Sequence, residues 1–345
     1  MTNENPPTPT DSPGFSRTLG IFLAVLLFIA ALRMLIGIVP VPLRLIMPVS
    51  VGVSVVFVAA PILALYAAAK YPWTYLRSFA MLLGGLAIWW LGYLAAQRAT
   101  QPMTGGAMMA ISQSGLIAWC LAIGSLLALR LKDRNMLVPV AIFLALFDLW
   151  LVFAPEGLVQ QTVVRGTGQG LAMLGYQVPQ VRTVSAGGLA APLLFVGPAD
   201  YLFISMFFVA IYRLKMRTRQ TLQALVPVLA LYLLVVLRFS DVEIGPIRLG
   251  ALPALVPIGI VVLIVNRSQF KLAKEERLVT WFLAIFGSLF VMWRISQPPP
   301  APRVVTLPSE PAQVRPRLPR LPGPYDPRQH PSAFPSAPES RQGPR

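Results

Sequence analysis

Charged side chains are scarce in this chain. Asp, Glu, Lys and Arg together supply 12 % of its 345 residues, about half the share of an ordinary soluble domain. Histidine occurs once, as His330, inside a proline-rich C-terminal stretch, and cysteine once, as Cys120 in an apolar run. One cysteine excludes any disulfide framework within the chain and leaves the redox compartment unread; Cys120 reads as packing. The missing histidines exclude more. A Ser–His pair, a Cys–His pair and a His-x-x-x-His zinc site all need a histidine within the fold. Hydrolytic chemistry here has to run on carboxylates, hydroxyls or lysine, and no cofactor is implied.

Apolar residues fill the place of the missing charge. They make up 56 % of the chain, and the mean hydropathy is +0.66. Nine runs approach the roughly 20 residues that span a bilayer core: Leu19–Val39, Leu45–Ala69, Leu76–Ala96, Met108–Leu131, Met136–Ala154, Leu189–Tyr212, Thr221–Leu237, Leu249–Val265 and Leu278–Ile295. The seventh and eighth are the shortest. This pattern predicts an all-α polytopic membrane protein with about nine transmembrane helices, a multi-pass integral membrane protein. Residues 1–18 are polar and proline-rich, lack a cleavable signal pattern and read as a disordered segment, so the first run is a retained span. The membrane domain occupies 19–296. Residues 297–345, dense in Pro and Arg, cannot bury a core and read as a flexible tail. The alternative reading of the tail is a ligand for a polyproline-binding partner.

The net charge of +16 is not a nucleic-acid signal, because no run carries a basic face interleaved with aromatics. Much of it lies in short connections, where anionic lipid headgroups and orientation rules account for it. Lys and Arg cluster after the second, fourth, sixth and eighth runs, for example Arg130, Lys132 and Arg134, then Arg213, Lys215, Arg217 and Arg219. That alternation predicts an N-terminus inside and a tail outside. Arg33, near the end of the first run, is expected to snorkel to the interface.

Two of the 13 acidic residues lie inside apolar runs: Asp148 and Asp200. A carboxylate in hydrocarbon costs several kcal/mol, so an intramembrane acid defaults to a functional role. Asp148 precedes Ala154 by six residues and Asp200 follows Pro192 by eight, about 9 and 12 Å of helix. The two runs are consecutive, so antiparallel helices set both acids at similar depth below one face. Carboxyl groups a few ångströms apart cannot both ionise and share one proton. Such a pair can hydrolyse a peptide bond without histidine or metal.

The neighbourhoods read Phe147-Asp148-Leu149 and Gly197-Pro198-Ala199-Asp200, followed later by Pro253-Ala254-Leu255. Together, and in this order, these resemble the presenilin and signal peptide peptidase family of intramembrane aspartyl proteases. That family carries Tyr-Asp on one helix, Gly-x-Gly-Asp on the next and Pro-Ala-Leu at a later helix start. The resemblance covers about 138–265, within a catalytic core of about 136–265. It implies that Asp148 and Asp200 form the catalytic dyad. It also implies that Phe147, Gly197, Ala199, Pro253, Ala254 and Leu255 support it or the substrate, which would be a transmembrane helix of another protein. Phe147 stands where the family has Tyr, and Ala199 where it has the second Gly, a methyl expected to crowd a close backbone approach. One fewer run precedes the first acid than in the family, and one more follows Pro-Ala-Leu.

Pro198 is expected to weaken the helix just before Asp200 and admit water, or simply to kink it. The long connection 155–188 holds a mildly apolar stretch, Leu158–Leu174, readable as surface-lying or re-entrant. Val181–Val184 and the Val242, Ile244 alternation are candidate strands that would hold an unwound substrate by edge pairing. Two rival readings use the same acids: a proton- or cation-coupled transporter, and a non-catalytic relative that binds membrane helices.

Overall fold

In the computed structural model, the described residues are 15–39, 41–154, 173–181, 192–239, 243–244, 247–248 and 253–297. Among them are nine α-helices: α1 (Phe15–Ile38), α2 (Ile46–Ala68), α3 (Tyr75–Arg98), α4 (Pro102–Arg130), α5 (Leu137–Phe153), α6 (Pro198–Arg213), α7 (Thr218–Phe239), α8 (Leu255–Asn266) and α9 (Lys274–Ile295). Two antiparallel pairs of strands join them, β1 (Tyr176–Pro179) with β2 (Pro192–Val196), and β3 (Glu243–Ile244) with β4 (Ile247–Arg248). The expected disordered start, 1–18, is shorter than expected: Phe15–Thr18 form the first turn of α1. The segments 1–14, 158–172, 182–184 and 298–345, on which the rest of that start, most of a re-entrant stretch, part of a strand and a flexible tail were expected, lie outside the described residues.

The chain is mostly helical, as its composition foretold, and six of the helices are long and apolar enough to cross a membrane: α1, α2, α3, α4, α7 and α9. The expected count of nine spans is therefore not met by length. α5, α6 and α8 have 17, 16 and 12 residues, about 26, 24 and 18 Å at 1.5 Å per residue, against a hydrocarbon core of about 30 Å. The seventh run, expected to be short, forms the long α7, because the polar residues from Thr218 to Gln220 also join the helix.

The sixth and eighth runs are shortened at their starts, the sixth by proline. Leu189–Tyr212 does not form one helix. Its first part is the strand β2, and the helix begins at Pro198, which occupies the first helical turn. Proline suits that position: its missing N–H would have no intrahelical partner there, and its fixed φ fits the helix. Pro198 is thus a helix start, and neither a kink nor a weakened turn. Pro253 instead lies outside α8, one residue before its N-cap Ala254.

α6 is the buried centre, with Tyr201 and every residue from Ile204 to Ile211 out of contact with the surroundings. It packs on α2, α4, α7 and α8. The α3–α4 hairpin shows how apolar helices associate where lipid gives no hydrophobic drive: small residues let backbones close up and polar side chains join across. Ser78, Gly85 and Gly92, one heptad apart, face α4. A β-carbon on Gly85 would lie 2.6 Å from the Trp119 backbone nitrogen, and one on Gly92 2.8 Å from that of Ser112. The Ser125 hydroxyl bonds to that of Ser78 at 2.7 Å. Gly124 makes the equivalent approach of α4 to α6, where a β-carbon would meet the Leu202 carbonyl at 2.5 Å.

Arg33 does not snorkel. It turns inward from α1 and donates to the Gln177 main-chain oxygen. Its guanidinium lies 5.6 Å from the Phe57 ring centre and 5.8 Å from that of Tyr176.

Candidate active site

The three short helices are the three that carry the expected site. α5 holds Phe147 and Asp148. α6 begins just after Gly197 and holds Ala199 and Asp200. α8 begins at Leu255, after Pro253 and Ala254. α8 packs on both α5 and α6.

The Asp148 carboxylate accepts a hydrogen bond of 2.7 Å from the backbone N–H of Leu255. That N–H is among the first four of α8, which have no partner within their own helix. The Asp148 side chain therefore caps a second helix, and the partial positive charge of that helix end favours a carboxylate there. Asp200 lies in the first turn of α6. Its carboxyl turns back over the N-cap, where a β-carbon on Gly197 would lie 3.4 Å from Asp200 Oδ2. It faces the Gly197 backbone N–H, the reciprocal half of a capping box. Each acid is thus held at a helix N-terminus. The two carboxyl groups lie within electrostatic reach of each other, and both are half-buried.

The remaining sequence-derived residues fall as follows. Leu255 and Pro253 are buried, and Ala254 is half-buried. Phe147 is exposed on α5, 5.9 Å from the Phe143 ring, stacked on it, and 5.8 Å from Trp150. Ala199 is exposed, so its methyl does not crowd a helix contact there, contrary to the expectation placed on it.

Three more residues belong to this neighbourhood. Tyr232 on α7 is in electrostatic reach of both Asp148 and Asp200. Tyr201, fully buried beside Asp200, stacks edge-on against Tyr176 of β1 at 5.3 Å. The Cys120 thiol donates to the Pro198 carbonyl at 3.3 Å, which ties α4 to the start of α6. No motif flags Tyr232: it is a phenol in an apolar run, and only the rotation of α7 turns it to the acids.

The expected strands are displaced. Val181 is not in a strand; the pairing strand is β1, just before it. Ile244 does pair, in the β3–β4 hairpin, while Val242 lies outside the described residues. β2 runs directly into Gly197 and Asp200. Gln177 stands opposite Phe195 in the register, yet the Gln177 N–H and C=O bond to Gln113 and Arg33. In an antiparallel ladder such a pair alternates with hydrogen-bonded pairs, so the N–H and C=O of Phe195 also point outward, along the far edge of β2.

The two half-buried carboxyl groups at helix ends thus stand beside the extended backbone of β2.

No family model, curated protein or solved structure matches the chain.

Proposed function

We propose that the protein is an intramembrane aspartyl protease of the presenilin-like kind, cutting transmembrane helices of other proteins with Asp148 and Asp200. The observation that carries this reading is the convergence of the three motif-bearing segments: the acid of α5 bonded to the first N–H of α8, with the acid of α6 in electrostatic reach of Asp148 and α8 packed on both acid-bearing helices.

In this mechanism one carboxylate takes a proton from a water molecule. The resulting oxygen nucleophile attacks the scissile carbonyl carbon, while the protonated partner gives its proton to the carbonyl oxygen. As the tetrahedral diol collapses, one of its hydroxyls gives its proton to the ionised carboxylate, the C–N bond breaks, and the leaving nitrogen receives the proton held by the other carboxyl. The carboxylates end sharing one proton, and only water is consumed.

A helical substrate hides its scissile bond in its own ladder. The outer edge of β2, with outward-pointing main-chain groups at Phe195, supports an unwound segment being held as an added strand. A full set of nine crossings would require the extended chain at the ends of the short α5, α6 and α8 to complete these three spans. The substrates are membrane proteins, and lipid covers the exposed apolar faces. The alternation of basic connections orients the N-terminus inward.

The test is cleavage of a model transmembrane substrate by the purified protein in liposomes, with and without a transition-state-analogue inhibitor of aspartyl proteases. The reading requires inhibitor-sensitive products. Absence of products with intact substrate binding would leave a helix-binding relative. Proton- or cation-coupled uptake lost in Asp148→Asn and Asp200→Asn would instead identify a transporter.

A further inference from the structure

The start of β1 is held by side chains from three helices. Trp89 Nε1 of α3 donates to the Met173 carbonyl at 3.3 Å. The Gln113 amide of α4 donates to the Gly175 carbonyl at 3.3 Å and accepts the Gln177 N–H at 2.9 Å. Arg33 of α1 donates to the Gln177 carbonyl. The Gln113 pattern has a specific meaning. A residue of a parallel strand bonds to the carbonyl of one neighbour and the N–H two positions on. Gln113 makes the same two bonds to residues 175 and 177 with one side-chain amide. It stands where a third strand would pair, and Arg33 occupies the next acceptor on that edge.

A cationic side chain in an apolar span is expensive. Arg33 meets that cost with a main-chain oxygen and two aromatic faces. Residue 33 is 144 positions from its acceptor, so the bond joins the first span to the strand pair that leads into Asp200.

We propose that Arg33 and Gln113 are positioning residues that close the β1 edge and fix the hairpin, so that an extended apolar peptide segment can add to the sheet only along β2, beside Asp200. Neither residue touches the reacting atoms. Their effect runs through the placement of the Phe195 edge. The substrate part of this inference rests on the proteolytic reading, whereas the clasp itself does not.

The experiment has two arms. A spin label attached at Phe195→Cys reports hairpin motion, and the native Cys120 is fully buried and remains unlabelled. Arg33→Leu, Gln113→Leu and Arg33→Lys are compared with the parent. Label mobility should rise in Arg33→Leu and Gln113→Leu, and rise less in Arg33→Lys, which keeps one donor. In the second arm, KM for the model transmembrane substrate should rise about tenfold in the two leucine variants, the loss of about one main-chain pairing, with kcat per folded molecule nearly unchanged. Unchanged mobility and KM in both leucine variants overturns the proposal. So does a fall in kcat alone, which reports only fewer competent molecules. If Arg33→Leu cannot be recovered folded, Gln113→Leu and Arg33→Lys decide by the same readings. Raised mobility in a protein that cleaves nothing, parent included, upholds the clasp and removes the protease.

Discussion

Asp148 caps α8 and, under the proposed function, exchanges a proton; a pair of substitutions separates the two. Asp148→Asn keeps an oxygen that can accept the Leu255 N–H, now as a neutral acceptor. A hydrogen bond to a charged group contributes about 1.5–3 kcal/mol and a neutral one about 0.5–1.5, so Asn should cost on the order of 1 kcal/mol. Asp148→Ala removes the acceptor and leaves a first-turn N–H of α8 without its partner, at 2.7 Å in the parent. That adds the penalty of an unsatisfied donor, a further 1–3 kcal/mol or so, towards the lower end because Asp148 is half-buried. The expected order of thermal stability in detergent is parent, then Asn, then Ala, each step separated by about 2–4 °C. Catalysis should follow a different order. Neither variant can exchange a proton, so both should lose at least about a thousandfold in cleavage rate. Thermal unfolding followed by tryptophan fluorescence, beside cleavage of a labelled transmembrane substrate, reads both quantities on the same sample. Asn and Ala variants of equal stability would refute the capping role. Cleavage by Asp148→Asn at more than a tenth of the parent rate would refute the dyad.

Single cysteines test the parity of the span count. The exposed positions Asp133 and Ser268 have α5, α6, α7 and α8 between them; if all four cross, Asp133→Cys and Ser268→Cys label from the same side, the cytoplasmic one, and Thr100→Cys from the other. If only α7 crosses, positions 133 and 268 label from opposite sides, and the nine-span arrangement fails. Tyr232→Phe removes a phenol in electrostatic reach of both acids and should lower kcat with little change in thermal stability; an unchanged kcat would take Tyr232 out of the site. Gly124→Ala would drive a methyl against the Leu202 carbonyl and should destabilise by about 1–3 kcal/mol, measured as a drop in unfolding temperature. A neutral result there would mean that α4 and α6 can separate without loss.

Much of the helical architecture was legible in the residues, and its limits are physical. Each of the nine apolar runs corresponds to one helix, because hydropathy and length are strong signals for such segments. Where a helix begins is weaker information. The apolar stretch Pro192–Val196 has the composition of either a buried strand or a helical turn, and short apolar runs do not distinguish the two. Pro198 could have been read as a helix start, since proline at the first turn is favourable, but the unbroken hydrophobicity on both sides hid the boundary. Arg33 lay close enough to its helix end for an outward path to be expected, and its inward path depends on an acceptor 144 residues away. The Leu255 contact uses a backbone N–H, which no side-chain motif encodes. Asp148 and Asp200, by contrast, announced themselves through the cost of placing acids in apolar surroundings.

The brevity of α5 and α8 has a consequence for the lipid. Segments of 17 and 12 residues, α5 and α8, standing next to α9 and α7, of 22 each, would create hydrophobic mismatch if all four cross a bilayer. Under the proposed function, acyl chains beside these two helices would compress or the headgroups dip inward, and a thinned leaflet near the aspartates would ease the wetting of a substrate helix.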